Sequence, residues 1–100
     1  MRPYKHPPAE ELSLERIFHA LSDPVRLEIV RHLSRVEVAS CGELDGGRPT
    51  SSVSHHFRIL REAGLINTRA NGTMHQNMLR RAELDARFPG LMDAVLKQKD

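Results

Sequence analysis

Residues 48–79 read RPTSSVSHHFRILREAGLINTRANGTMHQNML, and this stretch decides the fold. Its first half places three apolar residues at i, i+4 and i+7, the spacing of an amphipathic helix: Val53, Phe57 and Leu60. We predict a helix over residues 51–63 that is capped by Thr50 or Ser51. Gly64 then ends this helix in a left-handed conformation, which glycine adopts without steric cost.

The second half of the stretch is typical of a β-hairpin. Two strand-like runs, residues 65–70 and 73–79, flank Asn71-Gly72, the preferred pair for a two-residue type I′ loop. This loop would place Thr68 opposite His75 in the sheet. The stretch therefore predicts a helix that is followed at once by a hairpin.

The charge of this region is strongly basic. Residues 46–81 hold six arginines and a single acid, Glu62, whereas residues 1–45 and 82–100 each carry a small acidic excess. The whole chain has a net charge of only +2. A basic segment inside a near-neutral chain indicates a polyanionic partner, although a merely solvated surface has the same composition.

The polar side chains of the predicted helix and hairpin suit contacts with DNA. The side of the helix opposite its apolar stripe carries Ser51, Ser54, His55, Arg58 and Glu62. It is small and polar at its beginning and basic further on, so it can enter a major groove. The hairpin adds Arg69, Asn71, Thr73 and His75. A helix followed by a basic hairpin is what a winged helix-turn-helix presents to double-stranded DNA.

The fold class that follows is mainly α (α+β), with about five to six helices and a two-stranded wing. Residues 1–9, with three prolines, are predicted to be a flexible tail before a single domain over residues 10–98. The first helix is predicted over residues 10–21. Residues 82–98 return to helix after the wing, with an interruption where Pro89 can restart the helix at a first-turn position.

Two further helices have clear start signals. Asp23-Pro24 supplies an N-cap and a proline at the first helical position, which predicts a helix over residues 24–35 with its charged side chains outside. Ser40 and Glu43 stand in the pattern of a capping box, which predicts a short helix over residues 40–46.

The first and last helices carry more apolar surface than one small subunit needs. We interpret part of this surface as an interface with a second copy of the chain. The candidate interface residues are Leu14, Ile17, Phe18, Leu91 and Val95.

Composition excludes several classes of protein. A single cysteine, Cys41, excludes an internal disulfide framework and fits a reducing compartment. The chain has no apolar run long enough to span a bilayer and no signal-peptide pattern, so we expect a cytoplasmic protein without a membrane partner. Ser54 and His55 are adjacent helical positions that do not face each other, and no phosphate loop or paired-carboxylate motif is present. We therefore predict no enzymatic activity and no cofactor.

Two segments of the chain resemble the ArsR/SmtB family of bacterial winged helix-turn-helix repressors. They are FHALSDPVRLEIVRHL (18–33) and SSVSHHFRILREAGLI (51–66), and a wing ending in Leu79 follows them. The resemblance covers about residues 12–80. It implies a homodimer that binds a palindromic operator and represses transcription, in many members until a metal or another effector binds.

Carried over residue by residue, the resemblance makes residues 51–63 the recognition helix and residues 68–75 the wing. The positions that read bases would be Ser52, Ser54, His55 and Arg58, and Arg69 and Thr73 would lie near phosphates or the minor groove. Together with the polar surface described above, the candidate DNA-binding residues are Thr50, Ser51, Ser52, Ser54, His55, Arg58, Arg61, Arg69, Asn71, Thr73 and His75.

The chain departs from the family in its wing, in the linker before the recognition helix and at the known metal sites. The wing carries Met-His-Gln-Asn at residues 74–77 where family members have aromatic residues, and Gly46-Gly47 and Pro49 can displace the helix cap. Cys41 matches one cysteine of the family's thiolate site, but Ala39 stands where its partner would be. A second family site uses histidine from the C-terminal helix, and residues 80–100 contain none.

We therefore predict no metal site of either familiar kind, and the effector stays open. Two alternatives to a simple repressor remain. One is a metal- or redox-responsive sensor that uses Cys41. The other is a winged-helix module that binds an acidic protein instead of DNA.

Overall fold

The computed structural model describes residues 4–98 and contains, in that range, six α-helices and a three-stranded antiparallel sheet. In chain order the elements are α1 (Leu14–Leu21), α2 (Pro24–Arg35), β1 (Ala39–Ser40), α3 (Cys41–Leu44), α4 (Thr50–Glu62), β2 (Ile66–Asn71), β3 (Met74–Leu79), α5 (Arg81–Arg87) and α6 (Leu91–Lys97). The predicted winged helix-turn-helix is confirmed. No helix among the described residues has the length and apolar character needed to cross a membrane.

The hairpin forms, but its turn lies one residue later than predicted. The loop is Gly72-Thr73 instead of Asn71-Gly72, and Thr68 consequently pairs with Asn77 rather than with His75. Gly72 has a φ of +64°, and no described residue other than glycine has a positive φ. This is the pattern of a type II′ turn, with glycine first, because a type I′ turn over these two residues would also need a positive φ at Thr73. Since the pairing moves by two residues, each side chain stays on its predicted side of the sheet.

A third strand, β1, joins the wing and was not predicted, because two residues carry no periodicity. The strand order is β1-β3-β2, with Ala39 opposite Asn77. The buried Asn77 amide accepts a hydrogen bond from the Thr68 hydroxyl at 2.7 Å and donates one to the Ala39 carbonyl at 3.3 Å. One polar side chain thus ties the three strands together.

The predicted starts of α2 and α3 are confirmed. The Asp23 carboxylate accepts from the amides of Val25 at 2.8 Å and Arg26 at 3.2 Å. At α3, the Glu43 amide donates to the Ser40 hydroxyl at 3.1 Å and the Ser40 amide donates to the Glu43 carboxylate at 3.0 Å. These caps satisfy amides that have no partner inside the helix.

The predicted cap of α4 is wrong. Pro49 occupies the N-cap position without a side-chain hydrogen bond, and Thr50 is already the first helical residue. The Pro49 carbonyl accepts from the amides of Ser52 and Val53, both at 3.1 Å. The extended backbone of Pro49 (φ −59°, ψ 142°) therefore sets the start of the helix in place of a serine or threonine hydroxyl.

The first helix is also shorter than predicted. A 3-10 turn, Ala9–Glu11, is followed by an extended Leu12, and α1 begins only at Leu14. Leu12 is 3% exposed and its side chain lies directly over Gly64. The break in the helix thus turns Leu12 into the core.

Gly64 ends α4 as predicted, with a φ of +82°. The Gly64 amide donates to the Arg61 carbonyl and the Leu65 amide to the Leu60 carbonyl, both at 3.0 Å. These two bonds form a Schellman motif, which closes the last carbonyls of the helix. Leu60 and Leu65 are fully buried.

The C-terminal helices α5 and α6 pack against the core of their own chain. Gly90, with a φ of +83°, occupies the N-cap of α6, so Pro89 does not restart the helix as predicted. The core residue of α6 is Met92, which is fully buried and which the sequence analysis did not single out. Leu91 and Val95 are half-buried.

Residues 4–9 belong to the predicted flexible tail, and three of them contact the wing or the residue that follows it. The Thr68 amide donates to His6 Nε2 at 2.9 Å, and the Arg80 guanidinium donates to the Pro7 carbonyl at 2.8 Å. The flexibility of the tail stays a prediction, and these contacts show where residues 6 and 7 lie. Residues 1–3 of that predicted tail lie outside the described residues.

Replacement of Gly64 by alanine tests the junction between α4 and Leu12. A left-handed conformation costs a residue with a Cβ about 1–2 kcal/mol, and the new Cβ would lie 1.9 Å from Leu12 Cδ2. Gly90→Ala is the matched control, because Gly90 has nearly the same φ and a Cβ added there would meet nothing within 4 Å. We expect urea denaturation to show a larger loss of stability for Gly64→Ala. Equal losses of stability in the two variants would mean that the Leu12 side chain moves aside without destabilising the fold.

The Asp23 cap predicts a dependence of stability on pH. Desolvation raises the pKa of Asp23, but the amides of Arg26 and Val25 outweigh it and bring the pKa below its ordinary value of 3.8. The carboxylate therefore stabilises the fold above that value, and this contribution disappears as the pH falls through the lowered pKa. Asp23→Asn keeps a good N-cap without titrating, whereas Asp23→Ala should cost about 1 kcal/mol at neutral pH. We expect the difference in thermal unfolding midpoint between the parent and Asp23→Asn to become smaller as the pH falls from 7 to 3. A constant difference between them would contradict the assignment.

Candidate nucleic-acid interface

The outward side of α4 brings most of the predicted contact residues together. Six of the predicted positions on this helix are exposed: Thr50, Ser51, Ser52, Ser54, His55 and Arg58. The opposite side is closed into the core by Val53, Phe57 and Leu60, each at most 3% exposed. The helix therefore presents hydroxyl, imidazole and guanidinium groups without an apolar residue in between.

His55 and Arg58 form the basic end of this surface. The Arg58 guanidinium lies 3.5 Å from His55 Nδ1, at the limit of a hydrogen bond. Because a guanidinium only donates, His55 accepts through Nδ1 in this arrangement. Both side chains keep donors that are open to solvent, and such donors match the acceptors of guanine or phosphate.

The tip of the wing supplies a second exposed group. Arg69, Asn71 and Thr73 are all exposed beside the turn at Gly72-Thr73. Met74, next to them, is 52% exposed. The wing thus offers one cation, one amide and one hydroxyl at its end.

Two of the predicted contact residues are engaged inside the protein instead. The Arg61 guanidinium lies over the ring of Tyr4, 4.3 Å from the centroid, and burial lowers its pKa from the ordinary value. His75 Nδ1 and the Tyr4 hydroxyl form a hydrogen bond of 2.5 Å. Arg61 and His75 are therefore half-buried and have partners within the protein, and their contact with DNA stays a prediction.

Arg26 links α4 to the end of α1, although the sequence pattern predicted an exposed side chain at this residue. Arg26 is 7% exposed, and its guanidinium donates to the carbonyl of Ala20 at 2.7 Å and of His19 at 3.3 Å. Its third contact is His56 Nδ1 on α4, at 3.2 Å. One guanidinium thus joins the end of α1 to the middle of α4. Only its position three and four residues before the core residues Ile29 and Val30 could have indicated a buried side chain.

The positive charge of the interface is smaller than the count from the sequence. Arg80 forms an ion pair with Glu83, with 2.7 Å between Nη2 and Oε2, which also lowers the pKa of that carboxyl. Arg81 pairs with Asp85 at 3.0 Å and also with Asp93. Two of the six arginines of residues 46–81 are therefore neutralised by acids of α5 and α6. The cations exposed at this surface are Arg48, Arg58 and Arg69.

Cys41 lies at the start of α3 and is half-buried. The Asn77 side-chain amide donates to its sulfur at 3.3 Å. Within residues 4–98, no group of three or more histidine, cysteine or acidic side chains is placed to hold a metal ion.

Comparisons with known proteins agree with this geometry. Residues 21–69 match the family model of a helix-turn-helix domain. The chain is 40% identical over 75 residues to the arsenical resistance operon repressor of Staphylococcus xylosus, which covers 72% of this chain and 70% of that protein. The crystal structure of an ArsR family transcriptional regulator superposes with a TM-score of 0.68 at 28% identity, over 81% of this chain and 90% of that one.

A further solved structure is similar to this chain. The transcriptional repressor BigR from Xylella fastidiosa superposes with a TM-score of 0.62 at 30% identity, over 75% of this chain and 85% of that one. The family resemblance drawn from the sequence is thus confirmed. This chain belongs to the ArsR family of DNA-binding transcriptional regulators.

Proposed function

We propose that this protein is a homodimeric repressor that binds a palindromic operator through α4 and the wing. The observation that carries the proposal is the exposed surface of α4, whose first turns bear small hydroxyl side chains and whose middle bears His55 and Arg58. A helix with such a surface fits the major groove without steric conflict. The names of two relatives, the staphylococcal operon repressor and BigR, support repression as the outcome of binding.

The proposed roles divide between specificity and positioning. Ser52, Ser54, His55 and Arg58 read bases in the major groove, where arginine pairs well with guanine. Thr50 and Ser51, at the start of α4, bind phosphate through amides and hydroxyls. Arg69, Asn71 and Thr73 bind the adjacent backbone from the wing. Arg61 and His75 support this surface from behind, as their contacts with Tyr4 favour.

The proposed dimer uses apolar side chains that the monomer leaves exposed. Leu14 and Phe18, one helical turn apart on α1, are 41% and 53% exposed. Leu91 and Val95 stand one turn apart on α6 and are half-buried. Ile17, which was also predicted to lie in the interface, is fully buried in its own chain and has no surface left for a partner. Two-fold symmetry would place two copies of α4 about one helical turn of DNA apart.

Arg58→Ala tests the base-reading surface. Operator DNA is first selected from genomic fragments with the parent protein, and affinity is then measured by fluorescence anisotropy over a range of salt. Loss of an arginine that pairs with guanine should weaken binding about tenfold or more and relax specificity at one position. Arg35→Ala, an exposed arginine at the end of α2, is the matched control and should bind like the parent. The contact assignment is wrong if both variants bind equally well.

Phe18→Glu tests the dimer. A charge in an apolar interface should dissociate the dimer while leaving the monomer folded, because Phe18 does not belong to the buried core. Sedimentation velocity should show the monomer, and affinity for the full operator should fall because the two half-sites are no longer linked. Val36→Glu changes an apolar side chain that is 39% exposed outside the proposed interface and should remain dimeric. A dimeric Phe18→Glu protein would contradict the interface.

A further inference from the structure

The N-terminal residues 4–7, here called the strap, cross from the recognition helix to the wing. The Tyr4 ring lies under the Arg61 guanidinium of α4, and its hydroxyl forms a hydrogen bond with His75 Nδ1 of β3. The rings of Tyr4 and His75 also meet edge to face, with centroids 5.5 Å apart. One side chain thus contacts both parts of the proposed DNA surface.

The rest of the strap holds the open edge of the sheet. β2 is an edge strand, because β3 lies between it and β1. The Thr68 amide points away from β3 and donates to His6 Nε2 instead of to a neighbouring strand. Arg80, which follows β3, donates to the Pro7 carbonyl. An imidazole therefore satisfies an edge amide that would otherwise need water or another strand.

We propose that the strap fixes the angle between the wing and the recognition helix, and that Tyr4 and His6 are positioning residues for DNA binding. The inference rests on the proposed function, since it assumes that α4 and the wing bind one DNA duplex together. Neither residue needs to touch DNA for this role. Tyr4 acts through Arg61 and His75, and His6 acts through Thr68.

The physical reason is preorganisation. A two-stranded hairpin has little stability of its own, and the exposed end of the wing extends beyond the short strand β1. Without the strap, the wing would lose part of its order, and this order would have to be restored when DNA binds. With the strap in place, the wing is already held against the last turns of α4.

The hydrogen bond between His6 and Thr68 should also depend on pH. Nε2 can accept from Thr68 only when the imidazole is neutral. Desolvation, followed by the charges of Arg80 and Arg61, lowers the pKa of His6 below 6.5, while Glu83 opposes this. The neutral ring therefore persists at neutral pH, and the bond to Thr68 is lost only in acid. The other charged or titratable residues around His6 line the same cavity of about 620 Å³: Lys5, Glu11, Arg16, His19 and Glu62.

The test is a double-mutant cycle in DNA affinity, with Tyr4→Ala on the strap and Arg69→Ala combined with Thr73→Ala on the wing. Tyr4→Ala should weaken binding about 3- to 10-fold, and this loss should vanish when the wing residues are already removed. Tyr4→Phe keeps the ring under Arg61 but loses the hydroxyl, so its DNA affinity should lie between that of Tyr4→Ala and that of the parent. Additive losses, an unaffected Tyr4→Ala protein or an unaffected wing variant would each overturn the proposal.

Hydrogen exchange without DNA completes the test. His6→Ala should expose the Thr68 amide and accelerate its exchange, whereas His6→Gln keeps a carbonyl acceptor and should retain protection in acid. Equal exchange in the parent and His6→Ala at neutral pH would overturn the role of His6. If the parent itself bound no genomic DNA, the proposed function would fail and the positioning role with it. If only the proposal about the strap were wrong, the parent would still bind its operator.

Discussion

The buried guanidinium of Arg26 is the interaction on which the placement of the recognition helix depends. Its donors bond to the carbonyls of Ala20 and His19 in the last turn of α1, where the carbonyls run out of amide partners inside the helix. The His19 carbonyl also accepts from the Ser22 amide. The remaining donor reaches His56 in the middle of α4. Because the guanidinium is planar and its donors are fixed in direction, these contacts define how α1, α2 and α4 meet. The cost of burying the charge is offset by three acceptors and by the nearby Asp23 carboxylate.

A second polar group has the same function in the sheet. Asn77 is fully buried in the central strand and bonds to Thr68 on one side and to Ala39 and Cys41 on the other. Arg26 therefore organises the helices and Asn77 the wing. Leu12 and Gly64 form the apolar joint between them, at the point where α4 ends and the wing begins. α4 and the wing are thus held in place by buried polar bonds rather than by apolar packing alone.

The sequence predicted those features that depend on neighbouring residues. The Asp23 cap, the Ser40–Glu43 capping box and the Gly64 terminus each involve residues within a few positions of one another, and the structure has all three. The predicted register of the hairpin was wrong because the sequence allows two turns. Both Asn71-Gly72 and Gly72-Thr73 suit a two-residue loop, and Gly72 can supply the positive φ in either case. A side-chain network across the sheet, including Thr68 and Asn77, favours the observed choice.

The long-range contacts had no signature in the sequence. Arg26 was predicted to be exposed, because nothing in the sequence of α2 shows the groups that bury it. These are a carbonyl at the end of α1 and the His56 ring on α4. Tyr4 and His6 lie in a proline-containing segment without periodicity, which is typical of a tail. The charge count was misleading for a different reason. It ended at residue 81, whereas Arg80 and Arg81 pair with Glu83 and Asp85, three and four residues further along the chain.

The start of α4 shows how a departure from the usual capping rule can serve binding. Because Pro49 takes the N-cap, none of the hydroxyls of Thr50, Ser51 and Ser52 is used to cap the helix. Within residues 4–98, the amides of Thr50 and Ser51 have no protein acceptor, and the positive end of the helix dipole lies beside them. A hydroxyl cap would satisfy one of these donors internally. The proline instead leaves amides and hydroxyls together at the tip of the helix, where a DNA phosphate in the proposed complex would supply the acceptor they lack.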